Sequence, residues 1–174
     1  HLNGATDTIY SAVGIMNKMQ AVADRTILLG EARGDLVDIT ETTSSDLRDV
    51  ALFNVGSENK YNQPRDYYAV INNCNYFIAH VDTALKNNRN EKIFLKEYAA
   101  VKAFRAWTYL QLALNYGSVP FVTEPVLTKE EADRDYPRMD IKAISEYFVR
   151  ENGRKCSQKY DRLYPQDHFL LKNM

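Results

Sequence analysis

The chain has 174 residues, which is enough for one compact domain with a hydrophobic core or for a large piece of a bigger one. Its 22 basic and 23 acidic residues give a formal net charge of -1, so no chain-wide field attracts nucleic acid or anionic lipid. We therefore expect no nucleic-acid partner. Cys74 and Cys156 are too few for a disulfide framework, and we expect no disulfide.

The first predicted helix runs to about Leu29, and Thr6 or Asp7 can cap its start. Apolar residues at three- and four-residue steps are expected to bury one side of it. These are Ile9, Val13, Met16, Met19 or Gln20, Ala23 and Ile27. The polar stretch 31–47 is expected to be an ordered excursion, and 51–62 contains a turn but no clear regular element.

A second helix is predicted from Pro64, a residue suited to the first helical position, to about Lys86. Its apolar stripe steps by four and three residues. The stripe consists of Tyr67, Ile71, Cys74, Ile78, Val81 and Leu85. Asparagines at 87, 88 and 90 predict a short turn, so the next helix, from about Glu91, should pack antiparallel as an αα-hairpin.

The third long helix is predicted to be apolar on two faces, which would require neighbours on both sides. One face carries Ala100, Ala103, Trp107, Leu110 and Leu114, and the other carries Phe94, Tyr98, Val101, Phe104 and Leu112. Gly117 is placed to end the helix in a left-handed conformation, and Pro120 prevents its continuation. Arg105 lies among apolar residues, so we expect a structural ion pair or bonds to loop carbonyls. Trp107 is expected to have a structural role.

Beyond this helix, the segment 119–137 is predicted to cross the molecule in an extended conformation and then to form a polar turn. Asp140 is expected to cap a short helix from Ile141 to about Val149. Three residues of that helix should face inward, namely Ile141, Ile144 and Phe148.

Three motifs, in the same order along the chain, resemble the signature of the SusD/RagB family. The helix Lys102 to Ala106, with Tyr109, Leu112 and the run Asn115 to Phe121, resembles the family's aromatic helix that ends in Y-G-x-V-P. The run from Tyr67 to Asn75 resembles its Y-x-x-I-x-x-x-N helix, and Glu31 to Asp35 resembles its short turn after the first helix. The resemblance extends from about Thr8 to about Phe148. From Arg150 the chain lacks the D-L-x-x-A helix end that the family usually has.

The resemblance implies a mainly all-α fold of tetratricopeptide-like stacked helical hairpins, an α-α superhelix with irregular loop excursions. The chain shows no clean internal repeat, so the tetratricopeptide-like description rests on the resemblance. Residues 1–174 would be a single helical domain and a fragment of a longer protein. That protein would be a lipoprotein on the outer face of the outer membrane, with its anchor upstream of residue 1. It would bind oligosaccharide or another nutrient and work with a TonB-dependent transporter.

In the family the sugar surface lies partly between the first helix and the Y-x-x-I-x-x-x-N helix, here about 33–62. Sugar binding requires aromatic faces for C–H groups and amide, carboxylate or guanidinium groups for hydroxyls. The candidate ligand-binding residues are Arg33, Asp49, Phe53, Asn54 and Tyr61. The segment contains no Trp, which departs from the starch-binding pattern and leaves other ligands open.

The chain contains no G-x-G-x-x-G, Walker A, H-E-x-x-H, C-x-x-C or G-x-S-x-G motif, so we expect no catalytic residues, cofactor or metal. His80 is expected to be a partly exposed helix residue rather than a ligand. The carboxylates of 35–49 could suggest a glycosidase, but acids in a Thr- and Ser-rich loop more often form caps and turns. The alternative function is a protein-interaction scaffold whose helix pairs form a groove and bind no sugar.

Overall fold

The computed structural model of the protein describes Leu2 and residues 4–34, 37–81 and 90–151. Within these ranges the chain is mainly helical, which confirms the predicted fold class. The elements are α1 (Ala5–Glu31), α2 (Ser45–Ala51), α3 (Pro64–His80), α4 (Asn90–Tyr116), β1 (Val119–Pro120), α5 (Lys129–Ala132), β2 (Arg138–Met139) and a last helix, α6, at 141–151. None of the helices described here combines the length and the apolar character that crossing a bilayer requires.

Helix α1 begins at Ala5 with Gly4 at its N-cap, so the predicted caps are wrong because Thr6 and Asp7 lie inside the first turn. The predicted buried stripe is also wrong at four of its positions. Ile9, Val13, Met16 and Ile27 are exposed, whereas Ala12, Ile15, Val22 and Leu29 are buried.

Two threonines explain why the buried face of α1 looks less apolar in the sequence than the exposed one. The hydroxyl of Thr8 donates to the Gly4 carbonyl, and that of Thr26 donates to the Val22 carbonyl, both at 3.0 Å. A hydroxyl that is satisfied within its own helix can be buried at little cost. Apolar periodicity alone therefore selected the wrong side of α1.

Helix α3 starts at Pro64, as predicted, and Tyr67, Ile71 and Cys74 are buried. The helix ends at His80 and not near Lys86, because Val81 is already extended. Val81 instead forms a parallel bridge with Leu2, which brings the start of the chain beside the end of α3. The rest of the predicted stripe and turn, at 82–89, lies outside the described residues.

The hairpin of α3 and α4 is antiparallel. Tyr67, at the start of α3, meets Tyr116, at the end of α4, with ring centroids 6.1 Å apart. Further along, Asn75 of α3 bonds to Arg105 in the middle of α4. Helix α1 packs on both and runs antiparallel to α3, since the Thr26 hydroxyl lies 2.9 Å from that of Tyr67.

Helix α4 is buried on one face only within the described part of the chain. Val101 and Leu112, from one of its two predicted apolar faces, are buried. On the other predicted face Leu114 is 64% exposed, Ala103 is exposed and Trp107 is half-buried, so the expected cover on both sides is absent among the described residues. The side chain of Phe94 lies outside them. The buried face also contains three polar side chains, which the apolar pattern does not indicate, namely Lys102, Arg105 and Thr108.

The chain leaves α4 at Gly117, whose φ of 72° is left-handed, as the spacing predicts. Strand β1 then pairs antiparallel with β2, and Pro120 lies opposite Arg138. The Tyr109 hydroxyl fixes the start of the crossing segment, 119–127, because it donates to the Val122 carbonyl and accepts from the Val122 N–H, both at 2.8 Å.

The polar turn predicted after the crossing contains a short helix, α5, which the pattern did not indicate. Thr128 and Glu131 form a capping box around its first turn. The predicted cap of α6 is confirmed, since the Ala143 N–H donates to an Asp140 carboxylate oxygen at 2.8 Å. In α6, Ile144 and Phe148 are buried as predicted, but Ile141 is exposed.

Arg105 is 1% exposed and joins four parts of the chain. Its guanidinium donates to the Asn75 side-chain oxygen at 2.8 Å and to the Thr123 carbonyl at 3.3 Å. It also donates to both Glu151 carboxylate oxygens, at 2.7 and 2.9 Å, while the Lys102 amine lies 3.4 Å from the same carboxylate. Both the ion pair and the bond to a loop carbonyl that we expect for Arg105 are therefore present. We call these five residues the Arg105 cluster.

Replacing Arg105 with Leu should lower the free energy of unfolding by about 3 kcal/mol. The buried side-chain oxygen of Asn75 would lose its donor, and of the two cations beside Glu151 only Lys102 would remain. Arg150→Leu is the matched control. Its pair with Glu146 is exposed, so we expect a change of about 0.5 kcal/mol or less. Urea unfolding measures both, and equal effects would contradict the account. Ligand affinity of the predicted binding segment, 33–62, should be unchanged in the folded Arg105→Leu protein.

Neighbouring residues of α1 test which face is buried. Ile15→Ala should cost about 2–4 kcal/mol, because it removes a side chain that is 3% exposed and leaves a cavity. Met16→Ala should cost under about 1 kcal/mol, since Met16 is 53% exposed. Thermal and urea unfolding of the two variants would contradict the assigned face if Met16→Ala were the more destabilising.

Candidate functional site

Helix α2 and the turn before α3 form a small second core against the end of α1. Leu29, Ala32 and Val50 are buried in it, and Tyr61 packs against them, half-buried. The Lys60 amine lies 5.0 Å from the centre of the Tyr61 ring, a cation-π distance. Part of the Tyr61 ring therefore belongs to this second core.

Phe53 lies at the end of α2 in an unusual backbone conformation. Its φ is 57°, its N–H donates to the Val50 carbonyl at 3.1 Å, and the Asn54 N–H donates to the Asp49 carbonyl at 2.8 Å. This pair of bonds is the Schellman helix ending, in which the left-handed position is usually Gly. A non-glycine residue there costs about 1 kcal/mol or more.

The Phe53 side chain is 72% exposed, and the adjacent Leu52 is 61% exposed. The ring therefore makes little contribution to the core, while its backbone conformation is unfavourable. Strain in a residue that the core does not require is typical of functional positions. Together with the half-buried Asp49 and the exposed Asn54, the ring forms a surface with an aromatic face, an amide and a carboxylate, here called the Phe53 surface.

Arg33, the fifth predicted residue, lies near the end of α4. Burial raises the pKa of the Tyr116 hydroxyl to about 12, and Arg33 is close enough to oppose that rise. The Arg33 Nε is buried and has no hydrogen-bond partner among the described residues. The structure thus brings Asp49, Phe53 and Asn54 together, connects Tyr61 to them through Val50, and places Arg33 beside Tyr116.

A cavity of about 400 Å³ lies between α3, the crossing segment and the residues around β2. None of the predicted ligand-binding residues lines it. We call it the α3 cavity. Its lining consists of Tyr68, Ile71, Asn72, Asn75, Pro120, Val122, Val126, Ala132, Arg134, Asp135, Tyr136 and Arg138.

Polar side chains of α3 attach the crossing segment to the helix beside the cavity. The Asn72 amide donates to the Val126 carbonyl and accepts from the Val126 N–H, both at 2.8 Å. Asn75 donates to the Val122 and Glu124 carbonyls at 3.0 Å. The Tyr68 hydroxyl donates to the Pro120 carbonyl at 2.8 Å. These bonds join α3 to the crossing segment beside the concave surface.

The rim of the α3 cavity carries three charges. Arg138 donates to the Ser118 carbonyl and opposes the effect of burial on Tyr68, whose pKa rises to about 12. The backbone N–H groups of Leu127 and Thr128 lower the pKa of the Glu131 carboxyl, and the charge of Arg134 adds a smaller effect in the same direction. Neither the Arg134 nor the Asp135 side chain forms a hydrogen bond or ion pair within the described ranges, so both are available to a ligand. The sequence shows these residues only as a polar turn, and no linear pattern indicates that the chain encloses a cavity there.

No group of three or more His, Cys, Asp or Glu side chains among the described residues is arranged to hold a metal ion. Burial raises the pKa of the Cys74 thiol to about 12, so the reactive thiolate is scarce at neutral pH. His80 is the last residue of α3 and partly exposed, and its ring stacks on Tyr76 with centroids 4.1 Å apart.

No family model matches the chain, and no curated protein or solved structure matches it either. The likeness to the SusD/RagB family therefore rests on the three sequence motifs.

Asn72→Leu should open the crossing segment, because Val126 loses one donor and one acceptor at once. We expect the free energy of unfolding to fall by about 1–2 kcal/mol and the Val126 amide to exchange faster with solvent. Asn73→Leu is the control, since the Asn73 amide donates to the Ala69 carbonyl of its own helix. Hydrogen exchange measured by NMR would contradict this account if Val126 kept its protection in Asn72→Leu.

Proposed function

We propose that this chain is part of a non-catalytic glycan-binding protein of the bacterial cell surface. It would be held by a lipid anchor upstream of the chain and would deliver oligosaccharide to a TonB-dependent outer-membrane transporter. The family resemblance supplies the cell-surface setting and the transporter. The support for sugar binding from the chain itself is the Phe53 surface.

Phe53 carries the proposal because it combines two features that folding does not favour. A left-handed Phe costs free energy where Gly would not, and the exposed ring contributes little to the core. An exposed aromatic ring presents a face to the C–H groups of a sugar. Asn54 and Asp49, on the same turn, offer a donor and acceptors for hydroxyl groups.

Binding on such a surface needs no chemical step. The ring would bury the apolar face of a sugar, and the polar neighbours would orient it through its hydroxyls. Affinity for one sugar would be modest, because the polar groups of this open surface are hydrated in the absence of ligand and must lose that water on binding. A carrier that passes its ligand to a transporter benefits from such reversible binding.

The scaffold function remains the second candidate, and the exposed side of α1 favours it. Ile9, Tyr10, Val13 and Met16 form an exposed, mainly apolar stripe along two turns, and such stripes often contact another protein. This function requires a protein partner on α1 and no role for Phe53. Oligosaccharide titration distinguishes the two functions, because the scaffold function predicts no binding of any oligosaccharide to the unmodified chain.

Two substitutions at Phe53 separate the ring from its backbone. Phe53→Ala and Phe53→Gly should each weaken oligosaccharide binding by about tenfold, because both remove the stacking face. Phe53→Gly should unfold with a free energy about 1 kcal/mol higher than Phe53→Ala, because only Gly adopts φ near 57° without strain.

Leu52→Ala is the matched control. It removes an exposed apolar side chain beside Phe53 but no aromatic face, so binding should persist. Calorimetric titration with oligosaccharides from plant and host polysaccharides measures affinity, and urea unfolding measures stability. Glycan binding that is unchanged in both Phe53 variants would refute the assigned surface, and no binding to any oligosaccharide would refute the function.

A further inference from the structure

The α3 cavity has the size and construction of a small-ligand site. At about 400 Å³ it lies within the range of roughly 300–1,000 Å³ that such sites occupy. Hydrogen bonds from α3 to the crossing segment fix its walls, so the cavity exists without a ligand. It is also separate in sequence from the Phe53 surface, with which it shares no residue.

The lining divides into an apolar floor and a charged rim. Ile71, Val122 and Val126 form part of the floor, and the rings of Tyr68 and Tyr136 line its sides. The Tyr68 and Tyr136 hydroxyls already donate to the Pro120 and Glu131 carbonyls, which leaves their ring faces and lone pairs for a ligand. The ring faces suit the C–H groups of a ligand, and the hydroxyl lone pairs can accept hydrogen bonds from its hydroxyl groups.

The rim charges define the polar end of the ligand. Among the lining residues, Arg134 and Arg138 are positively charged and Asp135 is negatively charged. The Arg134 side chain has no hydrogen-bonded partner in the described part of the chain, and its charge also acts on the Glu131 carboxyl. Guanidinium groups bind carboxylates in paired, charge-assisted bonds. Asp135 accepts hydrogen bonds only, so it suits hydroxyl donors beside that carboxylate.

We propose that the α3 cavity binds an acidic sugar residue of the uronic acid type. Its carboxylate pairs with Arg134, its hydroxyls donate to Asp135, and its ring C–H groups rest on Tyr68 and Tyr136. The inference rests on the proposed function, since it assigns a second saccharide site to the same glycan-binding chain. It adds a preference for charged glycans. The Phe53 surface does not provide one, because residues 49–54 include no Lys or Arg.

Galacturonate and galactose are the test ligands, because they differ only in the carboxylate at the sixth carbon. We expect galacturonate to shift the backbone amide NMR signals of 134–136 and to bind at least about tenfold more tightly than galactose. Binding should weaken as sodium chloride is raised, since the ion pair is near the surface. Propionate should bind more weakly than galacturonate.

Three variants locate the site. Arg134→Gln should weaken galacturonate binding by about tenfold or more, and Asp135→Asn by several-fold, because the first removes the cation and the second an acceptor. Arg48→Gln removes an equal charge from an exposed side chain of α2 and should leave binding unchanged. Equal losses in Arg134→Gln and Arg48→Gln would show a non-specific charge effect and overturn the proposal.

The outcomes distinguish this inference from the proposed function. If oligosaccharides bind through Phe53 but galacturonate does not bind, the acidic-sugar site is wrong and the proposed function stands. If galacturonate binding depends on Arg134 and no glycan responds to Phe53, the cavity site stands and the Phe53 surface is wrong. If no neutral or acidic saccharide binds, both are wrong.

Discussion

The buried guanidinium of Arg105 is the interaction on which the arrangement of the helices and the crossing segment depends. It sits in the middle of α4 and reaches α3 through Asn75, the crossing segment through Thr123 and α6 through Glu151. Both terminal nitrogens of the guanidinium are hydrogen-bonded, while its Nε has no hydrogen-bond partner among the described residues. Moving any of these segments would leave more of the buried charge without a partner, so they must keep their relative positions. Asn75 is shared, since its oxygen accepts from Arg105 while its amide donates to the Val122 and Glu124 carbonyls. One amide thus connects the Arg105 cluster to the wall of the α3 cavity.

Strong local signals predicted the parts of the fold that depend on backbone chemistry. Pro64 set the start of α3, Gly117 set the end of α4 and Asp140 capped α6, each because the residue type suits few other positions. The role of Arg105 was also predictable, because a mid-helix charge among apolar residues needs partners, although Asn75 and Glu151 could not be named in advance.

Which faces of the helices are buried, and where the α3 cavity forms, depends on tertiary contacts that the apolar periodicity of the sequence does not indicate. Helix α1 is apolar on two sides, and the side with Thr8 and Thr26 can be buried at little cost because their hydroxyls bond within the helix. Arg134 and Asp135 were predicted to lie in a polar turn, and only the pairing of β1 with β2 brings that turn against α3. The Phe53 surface lay in the predicted segment, but its left-handed backbone was not foreseeable, since sequence favours Gly at such a position.

We propose glycan binding at two surfaces, each of which recognises a different property of the sugar. The exposed ring of Phe53 would recognise the apolar face of a sugar, whereas the α3 cavity would recognise its charge. The most direct test is one NMR titration of the isotope-labelled chain with an oligosaccharide that contains both neutral and uronic acid residues. The account predicts amide shifts around Phe53 and Asn54 and around Arg134 to Tyr136, with α1 unchanged. No shifts at either surface, with saturating oligosaccharide present, would contradict it.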